Sequence, residues 1–527
     1  SKIQIRGAST LGKNNQPIYV VDGIIMDNGI KEGNADWDSN PNDYGNELKN
    51  LNPDDFASVS VLKGAAATAL YGSRGLNGAV VITTKSGKAG QGIGVNVSQS
   101  FGVDAITQTP AFQNEFGNGI CAGYVEYGEK DANGNYYVFD NYGQFPTNAN
   151  GNFSLLNNQE MAYGPAFDGR DVEYFDGTTR SYEARKNNFK EAFRKGFNSN
   201  TNVAISGGNE KTTFYTSLSY KHADGTVINN SFDRFSLLAK ATHQIHPKVK
   251  IEASMSFANS IPKNAPKNIG ENFANGTWGR EYDPTTAKDK YKGEHGGLAS
   301  SSYGDKWGNM PGRSVWWDLQ ENDYRQKETS VRPTLKLNID LLDWLKFNVE
   351  GNYSNYYIRG EEKKPDSGYA NLGNGGYYKL WQSTKEQTNL NANFMFNKTF
   401  GDFTVNGFLR GEYYENFFQE QNANTNGGLI VPGQYFLDNS KQTPSVSGKV
   451  KDRKKMMSVA FQAGVSWKDQ LFLDVTGRND WSSSLVYADG HGTYSYFYPS
   501  VNGSWLITST YRDQLPEWIS FAKIRGS

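Results

Sequence analysis

Beyond a glycine-rich stretch at residues 87–92, apolar and polar side chains alternate along most of the chain. Ile251, Ala253, Met255 and Phe257 interleave with Glu252, Ser254 and Ser256. Leu335, Leu337, Ile339 and Leu341 do the same with Lys336, Asn338 and Asp340, and Leu345, Phe347, Val349 and Tyr353 with Lys346, Asn348, Glu350 and Asn352. Val459, Phe461, Ala463, Val465 and Trp467 repeat the pattern. A period of two predicts strands with one apolar and one polar face. Tight turns are expected near Gly208-Asn209, His246-Pro247, Leu342-Asp343, Gly401-Asp402 and Lys468-Asp469. Between them lie long connections, at about 104–198, 222–232, 258–330, 358–384, 418–455 and 482–494. Short turns at one end and long loops at the other are the organisation of a transmembrane β-barrel, not of a soluble sandwich.

The first part of the chain reads differently. In residues 51–88, Asn52 suits a helix cap, Pro53 its first turn, and Asp54 and Asp55 the positive end of a helix. Val59, Val61 and Leu62 predict a short strand, Ala65 to Leu70 a helical turn, and Ala79 to Ile82 an apolar strand. Gly72, Gly75 and Gly78 permit the tight reversal between them.

Composition changes the picture little. Lysine plus arginine total 54 against 55 for aspartate plus glutamate, so the chain lacks the basic surplus of a nucleic-acid binder. No run approaches the length of a transmembrane helix, which leaves a barrel untouched. Cys121 is the only cysteine, so neither an intrachain disulfide nor a cysteine metal cluster is expected. The chain opens at Ser1 without a signal peptide, which we read as a trimmed or partly ordered N-terminus.

The motifs IRG (Ile5 to Gly7), PIYVVDGI (Pro17 to Ile24), NPDD (Asn52 to Asp55), VLKGAAATALYGSRGLNG (Val61 to Gly78) and ITTK (Ile82 to Lys85) occur in order. Together they resemble the plug of TonB-dependent outer-membrane transporters, in particular the SusC/RagA branch. SGGNEKTTFYTSLSY (Ser206 to Tyr220), GRNDWSS (Gly477 to Ser483), YFYPSV (Tyr496 to Val501) and SFAKIRGS (Ser520 to Ser527) resemble barrel segments of the same branch. The resemblance implies an all-β, antiparallel transmembrane barrel of 22 strands when complete, about thirteen of them present here, with a small α+β plug in its lumen. It divides the chain into a plug at 1–88, lacking its N-terminal part, and the first half of the barrel at 89–527, lacking the C-terminal part. It further implies the outer membrane of a Gram-negative bacterium, contact with lipid, and no cofactor. The implied function is import of a large nutrient, energised by TonB with ExbB–ExbD and assisted by a SusD-like surface lipoprotein, in single or paired complexes. An oligosaccharide is the first reading and an oligopeptide the second; a siderophore or cobalamin receptor on the same fold is a third.

Catalytic chemistry finds no motif. The five histidines show no HExxH spacing, and no G-x-S-x-G elbow or Walker lysine follows the glycines at 72–78. DANGN (Asp131 to Asn135) reads as a turn, because the closing glutamate of a calcium loop is missing. In the plug, Arg6, Asp22, Lys63 and Arg74 are candidates for ion pairs with one another or with the barrel wall. Candidate substrate contacts are Asp36, Trp37 and Asp38, a tryptophan between carboxylates suited to stacking on a sugar ring. Others are Trp278, Tyr282, Trp307, Trp316 and Trp317 in the loop at 258–330, for which packing among the loops is the plainer reading. Trp344, Trp467 and Trp505, near short turns, suit an interfacial girdle.

Overall fold

The computed structural model describes residues 16–26, 45–63, 71–90, 92–118, 166–265, 267–300, 304–305, 308, 310–368, 375–485, 489–516 and 518–526. Within 16–84 the chain forms a small sheet in the order β2-β1-β4-β3, from β1 (Ile18–Val21), β2 (Ile24–Met26), β3 (Phe56–Leu62) and β4 (Ala79–Thr84). β1 and β2 meet in a two-residue turn in which Asp22 and Gly23 both take positive φ, +46° and +89°. That is the backbone of a type I′ hairpin, and Asp-Gly is the pair that adopts it most cheaply. Tyr19, Val21, Met26, Val80 and Ile82 form the core of this sheet, with Leu48, Leu51 and Phe56 against them. The NPDD motif makes one 3₁₀ turn, Pro53–Asp55, not a longer helix; Asn52 caps it by accepting from the Asp54 N–H at 3.4 Å. The segment 64–70, where a helical turn is expected, lies outside the described residues.

A second sheet contains thirteen strands, the number the alternation predicts. In chain order they are β5 (Gly94–Asp104), β8 (Gly196–Gly208), β9 (Thr212–Asp224), β10 (Ser231–His246), β11 (Val249–Lys263), β12 (Asp323–Leu342) and β13 (Leu345–Lys364), then β14 (Tyr377–Phe400), β15 (Phe403–Leu429), β16 (Ser440–Trp467), β17 (Leu471–Ser482), β18 (Ser495–Leu506) and β19 (Lys523–Gly526). Each is antiparallel to the next, without a crossover. A separate hairpin, β6 (Asp171–Glu173) with β7 (Thr179–Ser181), lies in the first long connection. The tight turns fall where the sequence places them, at 209–211, 247–248, 343–344, 401–402 and 468–470.

Two of the expected long loops are mostly strand. β15 runs on to Leu429 and β16 begins at Ser440, so the loop read at 418–455 shrinks to 430–439. The loop read at 358–384 shrinks to 365–376. The reason lies in the solvent. Where these strands leave the bilayer neither face needs to be apolar, so Gln419, Glu420, Gln421 and Asn422 erase the period while backbone pairing continues.

Register defines the two faces. Ser256 pairs with Leu238 and Arg332, Thr334 with Asn352, Asn352 with Asn389, Asn391 with Glu412, and Glu412 with Ser458. These residues therefore line one continuous, mainly polar surface, and the small sheet packs against it. The opposite surface carries Met255, Leu335, Leu390, Leu409 and Leu473, all exposed, as a face solvated by lipid requires. At the short-turn end of that outer face, Phe403, Trp467, Leu471 and Trp505 stand in one cross-strand row. Such a row belongs at a membrane–water boundary.

Candidate functional site

Segment 47–55 of the small sheet's connection docks on the polar face of β8 to β12. The Glu47 carboxylate pairs with Arg332, both side chains being almost fully buried. Beside them the fully buried Glu328 gathers four donors. Lys49 Nζ lies 2.6 Å from Oε1 and Gln326 Nε2 donates to the same atom at 2.6 Å, while Asn50 Nδ2 at 3.1 Å and the Tyr356 hydroxyl at 2.5 Å serve Oε2. Arg234 donates to the carbonyls of Lys49 and Leu51. The carboxylates of Asp54 and Asp55 do not serve a helix dipole: they accept from Asn200 Nδ2 at 2.8 Å and the Tyr215 hydroxyl at 2.9 Å. Asn52 reaches Asn202 at 3.0 Å. One strand pair away, Lys240 Nζ sits 3.3 Å from Asp22 Oδ2 and donates to Thr84 Oγ1 at 2.9 Å.

A second anchor lies on β15 to β17. Arg74 Nη2 meets Glu412 Oε1 at 2.7 Å, and its guanidinium lies 4.2 Å from the centre of the Tyr414 ring. Glu412 Oε2 accepts in turn from Arg478 at 3.0 Å, and Arg478 holds Asp480 at 2.7 Å. A carboxylate shared by two guanidiniums is charge-compensated and geometrically fixed. The small sheet is thus held by ion pairs and hydrogen bonds, and among the described residues no β-ladder joins it to the wall.

The described parts of two long connections, at 105–118 and 166–195 and within 264–322, fold together into a lobe with its own core. Trp278, Trp316, Tyr282, Tyr182, Phe273, Ile269 and Met310 are buried there. Trp278 stacks on Trp316 at 5.6 Å and on Tyr282 at 4.8 Å, and Trp316 Nε1 donates to the Tyr282 hydroxyl at 2.8 Å. Helix Arg313–Glu321 supplies Trp316, Trp317 and Leu319 to this core. It follows Gly312 at φ +73°, where a Cβ would stand 2.5 Å from Trp278 Nε1. Asp283 caps the helix Pro284–Asp289 and pairs with Arg180 at 2.7 Å. Burial pulls its carboxyl up, but Arg180, Thr286 and Arg185 outweigh burial and hold it below the usual carboxylate range.

Glu281 behaves oppositely. Burial raises its carboxyl, which the Asn118 N–H at 3.0 Å and nearby Arg280 only partly offset. The folded lobe therefore binds this proton more tightly than the unfolded chain does. Glu281's contribution to lobe stability is highest below the ordinary carboxylate pKa, falls as pH rises through it toward the raised value, and then levels. Glu281→Gln, which keeps the acceptor for Asn118 without a charge, is expected to stabilise the lobe at neutral pH and to change little in acid. Protease resistance of the lobe at both pH values checks this, and an equal effect at both would sink it.

Comparison with known proteins decides what this arrangement is. The family described as TonB-dependent Receptor Plug Domain matches residues 1–79. The TonB-dependent receptor SusC of Bacteroides thetaiotaomicron is 43% identical over 100 residues, 19% of this chain and 9% of that protein. The TonB-dependent receptor P3 of Formosa agariphila is 23% identical over 519 residues, 96% of this chain and 42% of the relative. Structures of the RagAB peptide importer in its open-open state share the fold with a TM-score of 0.71 at 19% identity, covering 99% of this chain and 54% of that one. Residues 1–79 thus match a TonB-dependent receptor plug, and the chain as a whole has the fold of the SusC/RagA-type transporters. SusC and RagA, to which it is similar, are outer-membrane proteins of Gram-negative bacteria. The chain spans less than half the length of P3.

In SusC/RagA terms the small sheet is the plug and the thirteen-stranded sheet is barrel wall. Of the plug residues singled out by sequence, Asp22 and Arg74 meet wall residues across the lumen. Lys63 is exposed at the end of β3 and, among the described residues, enters no ion pair. Arg6, Asp36, Trp37, Asp38 and Trp307 lie outside the described residues. Trp278, Tyr282, Trp316 and Trp317 are buried in the lobe, the first three stacked or bonded together and Trp317 edge-on to Tyr291. In that position they hold the loops together and present no surface to a ligand. Sequence reasoning did not find Glu47, Lys49, Glu328, Arg332, Glu412 or Arg478. Each is an ordinary charge on a polar strand face or in a polar turn, and only the packing of plug on wall brings them together.

Proposed function

We propose that this chain is the plug and N-proximal barrel segment of an active importer for a large nutrient. In this reading residues 1–88 are plug and 89–527 the first part of a 22-stranded barrel, with the remaining strands supplied by further chain. TonB with ExbB–ExbD pulls the plug, and a SusD-like lipoprotein delivers the substrate, in single or paired complexes. The observation that supports it is the bonding of plug to wall. Polar links such as Lys49–Glu328 and Arg74–Glu412 shut a lumen firmly. Each is a discrete contact that can be broken one at a time, which a continuous β-ladder or an apolar core does not allow.

An oligosaccharide is the substrate we favour, because the wall beside the plug is dense in uncharged amides. Asp36, Trp37, Asp38 and Trp307 stay as proposed contacts. An oligopeptide is the second reading, since the RagAB assemblies that share the fold are described as peptide importers. Native mass spectrometry of the detergent-extracted complex tests both. A co-purifying lipoprotein with a released oligosaccharide supports the first, a released peptide the second, and a lone barrel releasing a metal chelate overturns both.

A further inference from the structure

Between the two charged anchors, the lumen-facing surface of β13, β14 and β15 carries a patch of uncharged amides. Asn352 pairs across the ladder with Asn389, and Gln387 with Asn416. All four are more than nine-tenths buried. Yet Asn352 Nδ2 and Oδ1, Gln387 Nε2, Asn389 Oδ1 and Asn416 Oδ1 make no hydrogen bond with any protein group. Leaving a buried donor or acceptor unmet costs about 1–3 kcal/mol each, so a cluster of them marks a surface shaped for something other than the plug's resting contact. Donors and acceptors are mixed, and the unmet atoms carry no charge.

The plug lies along the edge of this patch. A Cβ at Gly23, in the β1–β2 turn, would stand 2.4 Å from Glu350 Oε1 and 3.9 Å from Asn352 Nδ2. Tyr71 lies in the field of Arg410, Glu350 and Glu412, beside the same strands. A substrate arriving from outside therefore reaches the amides only once the plug has shifted.

We propose that Asn352, Gln387, Asn389 and Asn416 form a transit track on the lumen wall, which takes a neutral oligosaccharide as the plug moves aside. The proposal rests on the importer reading above. A sugar chain presents hydroxyl donors and acceptors around each ring and carries no charge, matching an array whose unmet atoms offer both; of the four residues, Asn416 alone also meets a carboxylate, donating from Nδ2 to Asp452 at 2.8 Å. A peptide brings charged ends and side chains that this patch does not answer. Because the track is shut at rest, it governs passage and not capture.

The test uses the full-length protein with its lipoprotein in the outer membrane of cells lacking the native copy. The variant is Asn352→Leu/Gln387→Met/Asn389→Leu, close in volume but without the amides. Probes are a defined set of neutral oligosaccharides and a set of oligopeptides with blocked ends, read by mass spectrometry. Surface capture is measured in energy-depleted cells and uptake in energised ones, with barrel level checked by heat-modifiable mobility. We expect unchanged capture and oligosaccharide uptake lowered about tenfold or more, while Asn389→Gln alone stays near the wild-type rate. Wild-type uptake by the triple variant at normal barrel level overturns the track, as does a loss of capture equal to the loss of uptake. A defect confined to peptides overturns the assignment to sugar. If the triple variant does not assemble, Gln387→Met alone decides by the same criteria. Should the unaltered protein import neither probe set, the importer reading falls together with the track.

Discussion

Glu328→Ala is expected to loosen the plug while leaving the barrel wall standing. The carboxylate is fully buried and answers Lys49, Asn50, Gln326 and Tyr356 at once. Its removal strands a largely buried ammonium and unmet donors, and breaking such a pair from one side costs about 3–5 kcal/mol. Nothing in the β12 ladder depends on that side chain, so the wall keeps its backbone pairing. The measurement is permeability: cells carrying the variant should admit large antibiotics that the parent excludes, with an unchanged amount of heat-modifiable barrel. Lys49→Met/Glu328→Leu should recover much of the seal, because an apolar pair of similar volume leaves no buried charge unpaired. Equal tightness in Glu328→Ala and parent would show that the anchor at 47–55 does not hold the plug.

Trp316→Ala is expected to unfold the surface lobe as a unit. The indole is fully buried, stacks on Trp278 and donates to Tyr282, so it ties the helix Arg313–Glu321 to the segment 278–282 in the lobe's core. Truncating a buried tryptophan costs about 3–5 kcal/mol. A lobe assembled from long connections has little reserve, because it must order many residues with few ladders of its own. Proteolysis of intact cells should cut the variant within 166–195 or 264–322, with the barrel fragment resistant. Trp316→Phe should sit between variant and parent. A cleavage pattern like the parent's would place the lobe's stability elsewhere.

How much of this was legible beforehand depended on where the solvent is uniform. Lipid demands apolar side chains at every second position, so β11, β12, β13 and the inner half of β16 could be read residue by residue, turns included. Outside the bilayer that demand ends, and the outer halves of β15 and β16 vanished into polar sequence although the strands continue. The lobe was hidden for a related reason. Trp278, Tyr282, Trp316 and Trp317 announce that something is buried, but spacing alone does not say whether a ligand or another loop covers them; the structure answers with one another. The plug's anchors were the least legible. Asp22 and Arg74 stood out because glycines surround them, whereas their partners Lys240 and Glu412 are two polar residues among many on a wet wall.

The reach of β16 has a consequence of its own. At about 3.3 Å per residue its 28 residues extend roughly 90 Å, whereas about 9–11 tilted residues cross the hydrocarbon. Together with β14 and β15 it raises a stiff palisade far above the lipid headgroups, with Ile430, Val431 and Phe436 at its crest. A molecule approaching the plug from that side therefore meets protein well before it meets lipid.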